Sequence, residues 1–185
     1  MKTVAIVQAR MGSTRLPNKV MLKLQGTPMI GVLLERLAEA KGIDQIVLAT
    51  STDAKNTPLA DYVRSLGYTV YLGSENDVLD RYYQAAVAAE ATTILRITGD
   101  CPLIDPALVD SILKAYKDAN VDYLANVSPA TYPDGLDTEI FSFVALKTAW
   151  EVAKKTPERE HVTPFIRESG QFKTGNFAHS KDHSN

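Results

Sequence analysis

Near the start of the chain, Gln8-Ala9-Arg10-Met11-Gly12-Ser13-Thr14-Arg15-Leu16-Pro17-Asn18-Lys19 places three cations, a glycine and two hydroxyls within ten residues. A polyphosphate needs such a place. Arginine presents a planar fork to phosphate oxygens and lysine a point charge. Gly12 lets the backbone approach a phosphate closely, and successive turn N–H groups can form an anion nest. The same composition also describes a solvated basic loop. The common phosphate motifs G-x-x-x-x-G-K-[ST] and G-x-G-x-x-G are absent, which counts against a P-loop NTPase and a dinucleotide oxidoreductase.

A second candidate is Gly99-Asp100-Cys101-Pro102. Asp100 could give one oxygen to Mg²⁺, which takes few carboxylates and completes its octahedron with water and phosphate oxygens. Gly99 would let a nucleotide pack on the backbone. The structural alternative is an Asp that starts a turn before a proline. Asp105, directly before Pro106, reads as a helix N-cap, and Cys101 as a small buried residue. Asp77 and Arg81 stand at i, i+4 in a predicted helix, either as a surface ion pair or with Arg81 turned to a ligand. Asp134-Gly135-Leu136-Asp137-Thr138-Glu139 is an acidic loop that could hold sugar hydroxyls or a second metal position, or be a plain hairpin. His161 has no metal-ligand spacing around it, and His179 and His183 fall in a polar tail.

The elements that must carry these residues alternate. Strands are predicted over 3–7, 45–50, 68–72, 93–98 and 121–125, with helices over 29–40, 58–66 (capped by Thr57), 77–90 and from Pro106 to about Lys117. This pattern predicts right-handed βαβ units and a mostly parallel sheet with helices on both faces. Ligands of such folds collect at the C-terminal ends of the strands. The segments found there are the basic loop, Ser51–Asp53 and Gly99–Asp105. After residue 126 the alternation stops. A strand over 138–141 and helices over 143–154 and 157–168 are predicted, and 171–185 reads as a frayed end.

Length and composition bound the rest. The 185 residues suffice for one domain, and the 45% hydrophobic and 23% charged fractions are those of a globular protein. A net charge of −2 does not suit a general nucleic-acid binder. The single cysteine excludes an internal disulfide, and no apolar run reaches membrane-spanning length. These features make a cytoplasmic location the expectation, with neither nucleic acid nor membrane as partner.

QARMGSTRLPNKVM followed by MIGVLLERL resembles the start of the spore coat polysaccharide biosynthesis protein SpsF family, itself related to the CMP-sugar synthetases that activate 3-deoxy-manno-octulosonate and sialic acids. DVLDRYYQAA (77–86), RITGDCPLIDP (96–106), YPDGLDTEIFS (132–142) and REHVTPFI (159–166) resemble the same family in the same order. The resemblance implies a three-layer α/β/α Rossmann-like nucleotidyltransferase fold over 1–185. It also implies a Mg²⁺ cofactor, CTP as donor and a sugar or sugar-acid acceptor. It places Gln8, Ala9, Arg10, Gly12, Ser13, Arg15, Lys19, Arg81 and Gly99 at the nucleotide, with Arg15, Lys19 and Asp100 catalytic and Asp100 the metal ligand. Asp137, Glu139 and His161 become acceptor-site candidates. Family members continue into a segment whose strand end carries a second metal-binding Asp, so this chain is expected to lack that segment. Homodimerisation, through the region after residue 126, is a further expectation. Two other readings stand beside transfer of CMP: a glycosyltransferase using a nucleotide-sugar, and a nucleotide-binding remnant without turnover.

Overall fold

In the computed structural model, which describes residues 1–13 and 16–184, the apolar runs form one seven-stranded sheet. Its strands are β1 (Thr3–Gln8), β4 (Gln45–Ser51), β5 (Thr69–Gly73), β6 (Thr93–Thr98), β7 (Tyr123–Ala125), β8 (Glu139–Ser142) and β9 (Thr174–Asn176), ordered β5-β4-β1-β6-β8-β7-β9. β1 pairs in parallel with β4 and β6, whereas β8 runs antiparallel to both β6 and β7. The sheet is therefore mostly parallel, as predicted.

Strand alternation divides the core into two layers. Ala5 and Val7 of β1 face a cluster with Leu33, Leu34, Leu59 and Ile112, which lie on α1 (Met29–Leu37), α2 (Thr57–Ser65) and α4 (Pro106–Ala119). Val4 and Ile6 face the other side, against Leu79, Tyr82 and Leu146, which lie on α3 (Val78–Ala88) and α5 (Phe143–Val152). The chain leaves β1 for β4 and β5 on one side and returns to β6 on the other. The strand order thus reverses between β1 and β6, where a ligand crevice opens in folds of this kind.

Several local expectations are corrected. Thr57 is not the cap of α2 but its first residue; Asn56 precedes it and gives no side-chain cap bond. The single helix expected over 157–168 is two, α6 (Thr156–His161) and α7 (Pro164–Glu168), because Val162 takes φ 70° and Pro164 cannot continue the first. A two-stranded ribbon, β2 (Lys23–Leu24) and β3 (Thr27–Pro28), turns at Gln25 and Gly26, both with positive φ, and was not predicted. The strand expected from Val121 begins at Tyr123. The polar tail does not fray before Asn176: β9 lies parallel to β7, and Phe177 N–H donates to Ala125 O at 2.7 Å.

Candidate active site

The basic loop starts where β1 ends, and buried Asn56 fixes its beginning. Met11 N–H donates to Asn56 Oδ1 (2.8 Å), whose amide in turn donates to Ser51 Oγ at the end of β4 (2.7 Å). The loop folds back on itself through Ser13 N–H and Asn18 N–H, both donating to Met11 O. Asn18 takes φ 57° and leads into a 3₁₀ turn, Lys19–Met21, that returns Lys19 to the sheet end. Arg10 and Lys19 thereby flank one crevice, although nine positions separate them in the chain.

β6 closes the opposite wall. Gly99 N–H donates to Gln8 O at 2.7 Å, and a Cβ on Gly99 would lie 2.5 Å from Ala9 Cβ and 2.8 Å from Gln8 O. Only glycine lets these two strand ends come this close. Asp100 follows immediately, and its Oδ2 receives Lys19 Nζ at 3.1 Å. Partial burial pushes the Asp100 carboxyl up, but Lys19 and Thr98 outweigh it and hold it below the ordinary aspartate value. The carboxylate therefore stays charged at neutral pH.

Between these walls lies a cleft of about 540 Å³, lined by Gln8, Ala9, Arg10, Gly12, Ser13, Lys19, Arg96, Thr98, Gly99 and Asp100 among others. Gln8 Oε1 is buried without a partner among the described residues. A second cleft of about 400 Å³ shares Lys19, Thr98 and Asp100 with the first and adds Cys101, Asp134, Gly135 and Asp137. Enclosure, with Asp134 and Glu139 nearby, raises the Asp137 carboxyl above its ordinary value despite Arg96. The Cys101 thiol is also pushed up, mainly by burial, so it is no activated nucleophile.

The other candidates lie elsewhere. Glu139 is not in either cleft lining. It is buried and engaged by Arg96 and by Tyr123 O–H (2.5 Å). The Arg81 side chain is fully buried and does not pair with Asp77. Its Nη1 donates to Ser74 O, and its Nε and Nη2 have no partner among the described residues. Asp77 instead caps α3, accepting from Asp80 N–H, and is gripped by Arg159 of α6 at 2.5–3.1 Å. His161 is exposed at the end of α6, which packs on α3 and α7 rather than on the crevice. Arg15 lies outside the described residues.

Three residues not singled out in the sequence join the site's electrostatics. Glu75 accepts Arg10 Nη1 (3.3 Å) and lies 3.5 Å from Lys55 Nζ, which also pairs with Asp53 at 3.0 Å. Burial raises the Glu75 carboxyl, but Ser51, Lys55 and Arg10 together bring it below the ordinary value. Lys55 crowds Gly12, where a Cβ would sit 3.4 Å from Nζ. The one signal for Lys55 was its place beside Ser51–Asp53 at a strand end; Arg96 opens the RITGDCPLIDP run without a role assigned to it, and nothing local marks Glu75.

A divalent cation fits beside Asp100. The side chain is 49% exposed on the wall common to both clefts, and its charge is secured. Among the described residues no three His, Cys, Asp or Glu side chains converge as a ready-made cation site. A cation held by one carboxylate and by substrate phosphates matches that donor set. No helix among the described residues is long and apolar enough to cross a membrane.

Residues 4–180 match the family model described as cytidylyltransferase. An uncharacterised protein of Methanocaldococcus jannaschii is 44% identical over 169 residues, covering 91% of this chain and 68% of that protein. The spore coat polysaccharide biosynthesis protein SpsF of Bacillus subtilis is 35% identical over 167 residues, covering 88% of this chain and 68% of the relative. Among solved structures, a cytidylyltransferase from Leptospira borgpetersenii superposes with TM-score 0.94 at 33% identity, covering all of this chain and 79% of its own.

Proposed function

The chain belongs to the cytidylyltransferase family, and on that premise we propose that it transfers CMP from CTP to a hydroxyl of a sugar with release of pyrophosphate. The observation that carries the reading is the meeting of two clefts at one wall: a cation-flanked cleft for the triphosphate and a smaller polar one for the acceptor share Lys19, Thr98 and Asp100. The likeness to SpsF supports an activated sugar destined for surface polysaccharide.

In this mechanism the acceptor oxygen attacks the α-phosphorus in line. The bond to the pyrophosphate oxygen breaks, and the hydroxyl proton passes to solvent. Positioning and charge neutralisation supply most of the acceleration. Arg10 and Lys19 bind the phosphates, and the Gly12–Ser13 backbone lines their path. Arg15 joins them by its place in the loop sequence. Asp100 is the residue that would hold Mg²⁺, which when bound supplies charge neutralisation at the phosphates. Asp137 orients the acceptor by accepting from its hydroxyls.

Calorimetric titration of CTP, UTP, ATP and GTP with Mg²⁺ tests the donor, and a pyrophosphate-release assay over free sugars tests the transfer. CTP is expected to bind in preference to the other three. Asp100→Asn is expected to weaken Mg²⁺-dependent CTP binding and to lower turnover on the order of 100-fold or more. Undiminished turnover in that variant would remove Asp100 from the mechanism.

A further inference from the structure

Three side chains from three separate parts of the chain converge beside the basic loop. Arg10 stands just past β1, Lys55 in the 3₁₀ turn Ala54–Asn56 after β4, and Glu75 in the turn between β5 and α3. One oxygen, Glu75 Oε1, lies 3.3 Å from Arg10 Nη1 and 3.5 Å from Lys55 Nζ. Asp53 fixes Lys55 a second time, accepting its backbone N–H at 3.0 Å and meeting Nζ at 3.0 Å. Nζ is thereby held against the loop backbone, 3.4 Å from where a Gly12 Cβ would be. Arg10 and Gly12 both line the larger cleft. The turn that carries Glu75 is itself pinned. Ser74 O accepts from the buried Arg81 guanidinium, Ser74 Oγ accepts Asp77 N–H at 3.0 Å, and Gly73 O accepts Thr52 N–H at 2.9 Å. Glu75 is mostly buried, whereas Arg10 and Lys55 are each nearly half exposed. The carboxylate is thus the fixed member of the group, and the two cations are the members that can reach a ligand.

We infer that Lys55 is a further phosphate-binding residue, and that Glu75 is the positioning residue that presents Lys55 and Arg10 together to the two outer phosphates of the triphosphate. The inference rests on the cytidylyltransferase reading and assigns residues to its leaving group. In-line attack puts the pyrophosphate opposite the acceptor. The smaller cleft lies on the Asp100 side, past the end of β6. The outer phosphates then point across the crevice towards the ends of β1, β4 and β5, where Arg10, Lys55 and Glu75 stand. What Glu75 supplies is placement, not net charge: it holds two cations side by side despite their mutual repulsion. Arginine and lysine each carry several N–H donors, so each can bind a phosphate while keeping its contact with Glu75. The Lys55–Asp53 pair is exposed and weak, and it yields to a phosphate at little cost.

The test is calorimetry with Mg²⁺ at neutral pH, using CTP, inorganic pyrophosphate and CMP as ligands. The samples are the parent chain, Lys55→Met, Glu75→Gln, the double variant Arg10→Met/Lys55→Met, and that double variant with Glu75→Gln added. Lys55→Met and Glu75→Gln are each expected to weaken CTP and pyrophosphate on the order of tenfold. CMP, which lacks the outer phosphates, is expected to change by less than about twofold. In the double variant, adding Glu75→Gln is expected to cost less than about twofold further, because a residue that acts through two others then has nothing left to place. A purely structural Glu75 would weaken all three ligands alike and keep its full cost in that background; either result overturns the positioning role. Unchanged CTP and pyrophosphate affinity in Lys55→Met overturns the phosphate contact, and that exposed position keeps the test open should Glu75→Gln fail to fold. Failure of CTP to bind the folded parent chain would instead sink the cytidylyltransferase reading, so the two failures are told apart.

Discussion

Lys19 and Asp100 neutralise each other across the mouth of the crevice, yet both remain partly open to solvent, at 35% and 49% exposure. An ion pair this exposed contributes about 0–1 kcal/mol to the fold. It is therefore cheap to break, and in the proposed mechanism an entering phosphate would take Lys19 from Asp100 while a cation would replace it. Lys19→Met is accordingly expected to cost turnover about 100-fold and stability less than about 1 kcal/mol. Pyrophosphate release and urea unfolding on the same sample check both halves. A large loss of stability would make Lys19 structural instead. Glu75 behaves differently, since it is only 25% exposed and faces both Arg10 and Lys55. Its lowered value means that its charged form stabilises the fold above the ordinary value of 4.5, and that this stabilisation is lost as pH falls through the lowered one. Glu75→Gln should thus be less stable than the parent at pH 7, by about 1 kcal/mol, with the difference vanishing on acidification. Urea midpoints measured from pH 7 down to strongly acidic conditions check the sign. At this scale, what could be read in the sequence was what lay contiguous in it. Arg10, Gly12, Ser13 and Lys19 announce themselves as one run, and Asp100 follows a strand directly. Glu75 and Arg96 reach the site from other parts of the chain, so no spacing within the basic loop points to them, and Lys55 is signalled only by its place after Ser51–Asp53. Glu139 became an acceptor candidate through the family resemblance, whereas its buried partners, Arg96 and Tyr123, are visible only in the fold.

Two strand ends, rather than any single side chain, define the crevice. β1 and β6 approach so closely beyond Gln8 and Thr98 that Gly99 has no room for a Cβ. Gly99→Ala must push Ala9 aside or part the strand ends, at about 1–3 kcal/mol, and the displaced loop should lose CTP affinity as well. A structure of the variant that keeps the Gly99-to-Gln8 hydrogen bond, with CTP affinity unchanged, would contradict this account. The parallel strands and their crossover helices were legible because hydrophobic period and turn chemistry agree there. The departures have local causes. Val162 at φ 70° and Pro164 split one apolar-periodic stretch into α6 and α7. Strand β9, Thr-Gly-Asn, has no apolar residue to betray it. Its place is set by β7, which lends it a sheet edge.

That edge strand bears on the whole molecule, because it links the loop proposed to hold the acceptor to the sheet. β9 pairs with β7, Asp122 N–H donates to Lys173 O at 2.8 Å, and Lys173 N–H returns to Asp122 Oδ2 at 2.9 Å. Beyond it Phe177 stacks on Tyr132, with centroids 6.2 Å apart, and His179 meets the same ring edge-on. His179 and His183 N–H groups donate to Thr131 Oγ1 and O. Tyr132 lies just before Asp134 in the loop that walls the acceptor cleft. The polar C-terminal stretch thus acts as a brace on that loop, while the donor cleft depends on β1, β6 and the basic loop at the sheet centre. Deleting residues 171–185 should therefore separate the two functions. Losing the Phe177 contact and the β7 pairing is expected to cost about 2–4 kcal/mol in urea unfolding. CTP affinity should change little, whereas the acceptor KM should rise on the order of tenfold. Equal losses at donor and acceptor would mean that the tail supports the sheet as a whole and not the acceptor loop in particular. No change in acceptor KM, in a truncated chain of measurably lower stability, would show that Tyr132 holds its loop in place without Phe177 and His179.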